Sequence, residues 1–193
     1  CGQYNKAEFP HEARCSVQYG WNLKALMIYL SIYQLLPYER ICETFLDLFG
    51  RLISKATLVK AVSDCHENLG EVDKKIQELL AGSQVLHVDE TGMRVNGIRQ
   101  WLHVASTEVL TWYGHHRKRG SRATDDLHIL PQFAGTMVHD FWASYFKYPC
   151  AHAICNVHLI RELRGISENY GQTWSGQMHD LMHEIKKAVE GIR

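Results

Sequence analysis

Two runs rich in β-branched and aromatic residues, "QVLHVDETGMRV" and "IRQWLHVAST", are separated only by Asn96-Gly97. Asparagine and glycine tolerate the positive φ angles of a type I′ turn, so a link of this kind folds the runs back on each other as a hairpin. A third run, "EVLTWYGHHR", follows, and residues 85–117 read as an antiparallel meander. The first strand ends in two adjacent acids, Asp89 and Glu90. A carboxylate on an apolar strand is costly to bury unless it is paired or binds a cation, so these acids call for a reason.

Beyond the meander, "SRATDDLHILPQF" is helical with Ser121 or Thr124 as its cap. "GTMVHDF" is a short buried strand, "WASYFKYP" a helical turn, and "AHAICNVH" a further strand, after which one long helix runs from His158. A meander followed by two β-α-β crossovers implies a mixed sheet flanked by helices, an α+β arrangement of the ribonuclease-H-like kind. In that topology Asp89 sits on the central strand and Asp140 at the end of the strand beside it. The two carboxylates then converge. Hard divalent cations such as Mg²⁺ or Mn²⁺ take oxygen ligands and support phosphodiester chemistry, which gives both acids a purpose. Glu90, next to Asp89 on a strand, faces the other side and is not expected to ligate the same ion.

Upstream, residues 22–81 are helical throughout. "NLKALMIYLSIYQLL" stops before Pro37, and "YERICETFLDLFG" ends at Gly50. "ISKATLVKAVSDCHENLG" starts at a Ser54 N-cap, and "EVDKKIQELLAG" is a fourth, more charged helix. A helix, a short turn at "GRL" and a helix beginning "SKATL" suit a helix-turn-helix unit as well as a plain bundle, with Lys55 and Lys60 the cations of the second helix. The expected organisation is a linker segment over 1–21, a helical DNA-binding region over 22–81, and a sheet domain over 84–193.

Charge adds little, because 21 Lys and Arg balance 21 Asp and Glu, so any basic surface must be local. The run "HHRKRG" offers one, with Arg117, Lys118 and Arg119. The apolar stretch "LKALMIYLSIYQLL" is too short and too interrupted to span a membrane, and "CGQYNKAEF" lacks the charged lead and apolar run of a secretory signal. The six cysteines form no CxxC pair, which fits reduced thiols in a cytoplasm. Cys150, Cys155 and His158 lie close in sequence, but structural zinc sites use four ligands in tight pairs, which this spacing does not supply.

The segments "YGWNLKALMIYLSIYQLLPYERICETFLDLFG", "HVDETGMRVNGIRQWLHVAST", "MVHDFWASYFKYP" and "CNVHLIRELRGI" resemble, in order and over nearly the whole chain, bacterial transposases of the insertion-sequence-66 family. The resemblance implies an upstream zinc-binding segment, a helical DNA-binding region and a ribonuclease-H-like core with an Asp-Asp-Glu metal triad. It maps the first two acids onto Asp89 and Asp140. It implies Mg²⁺ or Mn²⁺ as cofactor and, as partners, the terminal repeats of a mobile element and target DNA, and it admits a homodimer. The third acid is expected beyond a helical insertion after "HLIREL", past Arg193, so the 193-residue chain is expected to be inactive by itself. Glu162 is the visible but weaker candidate for that third ligand. Met93 stands where the family more usually has tryptophan.

Several residues carry two readings. His139 and His158 suit either a ligand-orienting contact to the scissile phosphate or a structural hydrogen bond. Trp142 and Tyr145 suit stacking on an extruded base, or, more simply, core packing. Three function classes follow: a DNA transposase that cleaves and joins strands, a metal-dependent nuclease or resolvase of the same fold using Glu162, and a non-catalytic DNA-binding remnant.

Overall fold

The computed structural model of the chain describes Gly2 and residues 18–192. Cys1, Cys15 and most of the expected linker segment, 1–21, lie outside the described residues. The chain divides into two compact units, Cys1–Glu71 and Val72–Arg193.

In the first unit, helix α1 (Trp21–Ile28) continues into a π-helical turn over Tyr29–Tyr33. The helix ends short of Pro37, as the restriction that proline places on its predecessor requires. Helix α2 (Tyr38–Phe49) ends at Gly50, whose φ of 61° is the left-handed conformation expected of a C-terminal glycine. Helix α3 (Lys55–Asn68) starts at Ser54, whose Oγ accepts the Thr57 N–H at 3.1 Å. Met27, Ile41, Phe45, Ile53, Leu58 and Ala61 form the core of this unit.

The second unit begins with α4 (Gly70–Ala81), which leads into strand β1 (Val85–Val95). Strands β2 (Ile98–Ser106) and β3 (Thr111–His116) complete the meander. The Asn96-Gly97 link has φ values of 51° and 78°, the pair of positive angles that a type I′ turn needs. A short helix, α5 (Ser121–Asp126), precedes β4 (Thr136–His139), and a 3₁₀ turn over Tyr145–Lys147 precedes β5 (Ala151–Ile154). The sheet order is β3-β2-β1-β4-β5, with the first three strands antiparallel and β1, β4 and β5 parallel. This is the mixed sheet expected of a ribonuclease-H-like arrangement.

Two local expectations change. The cap of α5 is Gly120, with no side-chain capping bond. Ser121 is the first helical residue, and the Thr124 hydroxyl bonds back to the Ser121 carbonyl within the helix. The single long closing helix is two, α6 (Asn156–Tyr170) and α7 (Thr173–Glu190), broken at Gly171, where φ is 63°. Its start at Asn156 also shortens the preceding strand.

The core of the second unit lies against one face of the sheet. Leu86 and Val88 of β1, Ala105 of β2 and Met137 of β4 pack with Leu80 of α4 and with Ile129, Leu130, Phe133, Tyr145 and Tyr148 of the connections. No described helix is long and apolar enough to cross a membrane.

Candidate active site

Alternation along β1 decides where each acid points. Leu86 and Val88 face the core, so Glu90 shares their side, and Asp89 projects from the opposite face with Val85 and His87. The parallel ladder between β1 and β4 pairs Val85 with Thr136, Leu86 with Met137 and His87 with Val138. Continued by two residues, the same register sets Asp89 level with Asp140, and both acids fall on one side of the sheet. The Asp89 side chain is 54% exposed, and the His158 Nε2 of α6 lies 3.9 Å from its Oδ2. The Asp140 Oδ1 accepts the Trp142 N–H at 3.0 Å, which anchors the carboxylate just past the strand.

Glu90 has a separate environment. Its side chain is 3% exposed, and its Oε1 takes a 2.7 Å bond from the Arg119 Nε, while the Tyr145 hydroxyl donates to its other oxygen. The Arg119 guanidinium also lies over the Trp142 ring and 4.8 Å from the centre of Trp101. Burial, then the Glu90 charge, pushes the Tyr145 phenol far above its ordinary range, so the hydroxyl stays a proton donor. The two adjacent acids thus have different reasons. Glu90 is neutralised inside the fold, whereas Asp89 is left open to solvent beside His158.

The remaining candidates separate in the same way. Arg119, expected on a DNA-facing loop, is turned inward onto Glu90, while Arg117 and Lys118 are exposed. Lys55 pairs with Glu39, and Lys60 with Asp64 at 2.9 Å, both on the surface of the helical unit. Glu162 is exposed on α6, one helical turn beyond His158, and makes no ion pair among the described residues. His139 is fully buried and cannot reach a phosphate. Tyr145 is 3% exposed and Trp142 carries Arg119 on its face, so core packing is the reading that holds for both. The aromatic next to the site that does reach solvent is Phe141, 61% exposed, which the sequence reading passed over. Its position directly after Asp140 was the available signal.

Asp89 lies midway along β1 rather than at its end as expected, and Asp140 just past the end of β4; two such carboxylates match the oxygen-donor preference of Mg²⁺ and Mn²⁺. Among the described residues, no three His, Cys, Asp or Glu side chains group closely enough to hold a metal ion. Asp89 and Asp140 could offer oxygen donors to such an ion, and the His158 Nε2 lies 3.9 Å from Asp89. No curated protein matches the chain. A family model described as "Transposase IS66 family" matches residues 16–193.

Proposed function

Because the chain belongs to the IS66 transposase family, we propose that it contributes Asp89 and Asp140 to a divalent-metal site for DNA strand cleavage and strand transfer. The observation that supports this reading is the β1/β4 register, Val85 with Thr136 through His87 with Val138, whose continuation by two residues would set the two acids level. Asp89 and Asp140 would hold a Mg²⁺ or Mn²⁺ ion, whose positive charge would support phosphoryl transfer.

The protein's own groups divide the remaining work. The Trp142 amide holds one Asp140 oxygen and thereby fixes the carboxylate's orientation. His158 stands at the open side of Asp89, where its Nε2 can donate to a phosphate oxygen. Arg117 and Lys118, exposed on the loop after β3, neutralise backbone phosphates. In the helical unit, α2, the turn at 50–54 and α3 form a helix-turn-helix that binds duplex DNA, with Lys55 and Lys60 on its second helix. Both lysines are ion-paired, but solvent-exposed pairs are weak, so phosphate can displace their carboxylate partners.

With only the two carboxylates Asp89 and Asp140, cations should be held weakly, and nicking or joining of DNA would need a third acid. A second reading takes Glu162 as that acid, in a nuclease or resolvase. It is favoured by the place of Glu162 on α6, four residues from the histidine that reaches Asp89. One experiment addresses both. The chain and its Asp89→Asn, Asp140→Asn and Glu162→Gln variants would be titrated with Mn²⁺ and incubated with supercoiled DNA. The proposal expects weak Mn²⁺ binding that either Asp→Asn change removes, duplex binding that survives both changes, and no nicking. Nicking that disappears in Glu162→Gln would establish the second reading, and Mn²⁺ binding indifferent to Asp89 and Asp140 would overturn the first.

A further inference from the structure

Directly after Asp140 the backbone takes a conformation that side-chain-bearing residues avoid. Phe141 has a φ of 76°. A bulky residue is strained there and persists only where its surroundings enforce the conformation.

The enforcing contacts form a continuous chain. The Phe141 N–H donates to the His139 Nδ1 at 3.2 Å. A ring nitrogen that accepts carries no proton, so in the neutral ring the His139 proton is on Nε2. From there it is donated to the His152 Nδ1, 3.0 Å away on β5. His152 must in turn hold its proton on Nε2, which lies 3.1 Å from the Tyr148 carbonyl. Each bond sets the tautomer needed for the next. The two rings meet edge to face at 5.2 Å, and the Phe146 ring packs on His139 at 4.9 Å. His139 itself is fully buried, so no water competes for its nitrogens.

We propose that His139 and His152 are positioning residues for Asp140. Their paired neutral tautomers clamp the Asp140–Phe141 turn in its strained conformation and keep the Asp140 carboxylate level with Asp89. This rests on the reading of Asp140 as a metal ligand. It adds that the ligand's geometry is set from behind, by a buried pair that touches neither metal nor DNA.

The test separates the clamp from simple packing. In the 193-residue chain at neutral pH, long-range ¹⁵N correlation spectra should show both histidines as Nε2–H tautomers. Either ring in the other tautomer, or charged, would overturn the proposal whether or not a cation binds. The function of the clamp is read from Mn²⁺ broadening of amide signals around Asp89 and Asp140. In His139→Asn, the amide oxygen can stand where Nδ1 was and still accept from Phe141 although the bond to His152 is lost, so Mn²⁺ affinity should fall clearly less than in His139→Gln. In His139→Gln that acceptor is lost, and affinity should fall by about 10- to 100-fold, as it does when partners behind metal ligands are removed. Adding Phe141→Gly to His139→Gln should restore most of the loss, because glycine adopts this φ unaided. Equal effects of Asn and Gln, or no rescue by glycine, would overturn the clamp while leaving Asp140 as a ligand. Parent chain that shows no broadening at Asp140 would instead remove the reading on which the clamp rests.

Discussion

Glu90 shows how strongly a single buried charge depends on its partners. Its carboxylate is almost sealed from solvent and is held by Arg119 and the Tyr145 hydroxyl. Glu90→Gln keeps the shape but leaves the guanidinium without its counter-charge. Because Arg119 retains 31% side-chain exposure, water offsets part of the penalty. The expected cost is about 2–4 kcal/mol, measurable by urea denaturation. A stability unchanged within error would mean that the pair does not persist in solution. Histidines supply a second prediction at this scale. His103 and His139 are both held below the ordinary histidine range, in each case first by burial. In the unfolded chain they take up protons near pH 6.5, whereas in the folded chain they resist until lower pH. Their contribution to stability is therefore complete at pH 7.5, falls as the pH drops below about 6.5, and levels off once the folded values are passed. The urea midpoint should decrease between pH 7 and 5.5, and His103→Gln should flatten that slope. A midpoint that held steady over this interval in the parent would contradict the assignment.

Among the elements, the parallel contact of β1 with β4 matters most, since its register, carried two residues past His87 and Val138, is what relates Asp89 to Asp140. Its entry is tight. The Thr136 N–H donates to the Gln84 carbonyl at 2.8 Å, and a Cβ at Gly135 would run into the carbonyl oxygens of Ser83 and Gln84. Those are backbone atoms, which cannot swing aside as a side chain does. Gly135→Ala should cost about 1–3 kcal/mol by overpacking and displace the start of β4. The readout that distinguishes this from general loss of stability is amide exchange, which should rise first at β4 and β5 while the β1–β2 hairpin stays protected. Uniform exchange across the sheet would refute the local account. Element ends were mostly legible beforehand. Gly50, Ser54 and Asn96-Gly97 act through the backbone conformations of their immediate neighbours, and each does what its residue type suggests. Gly171 carried the same kind of signal as Gly50, a glycine suited to a left-handed helix end, and it marks the break between α6 and α7.

For the whole molecule, the two hydrophobic cores share no residues: one draws on positions up to Ala61, the other on Leu80 and beyond. A chain beginning at Gly70 keeps α4 and every residue of the sheet core, so residues 70–192 should fold alone with a cooperative urea transition and the strand signature of the parent. Failure of that piece to fold would show that its stability depends on the helical unit. The sequence by itself determined most of the secondary structure, the hairpin and the mixed sheet, because strand periodicity, turn chemistry and chain order are local or topological properties. Only the tertiary structure decided that Arg119 turns inward to Glu90, that His158 approaches Asp89, and that His139 and His152 join behind Asp140. These pairings connect residues on different elements. Which partner each side chain takes is a competition among burial, charge and hydrogen-bond geometry, and it is settled only when the elements pack together.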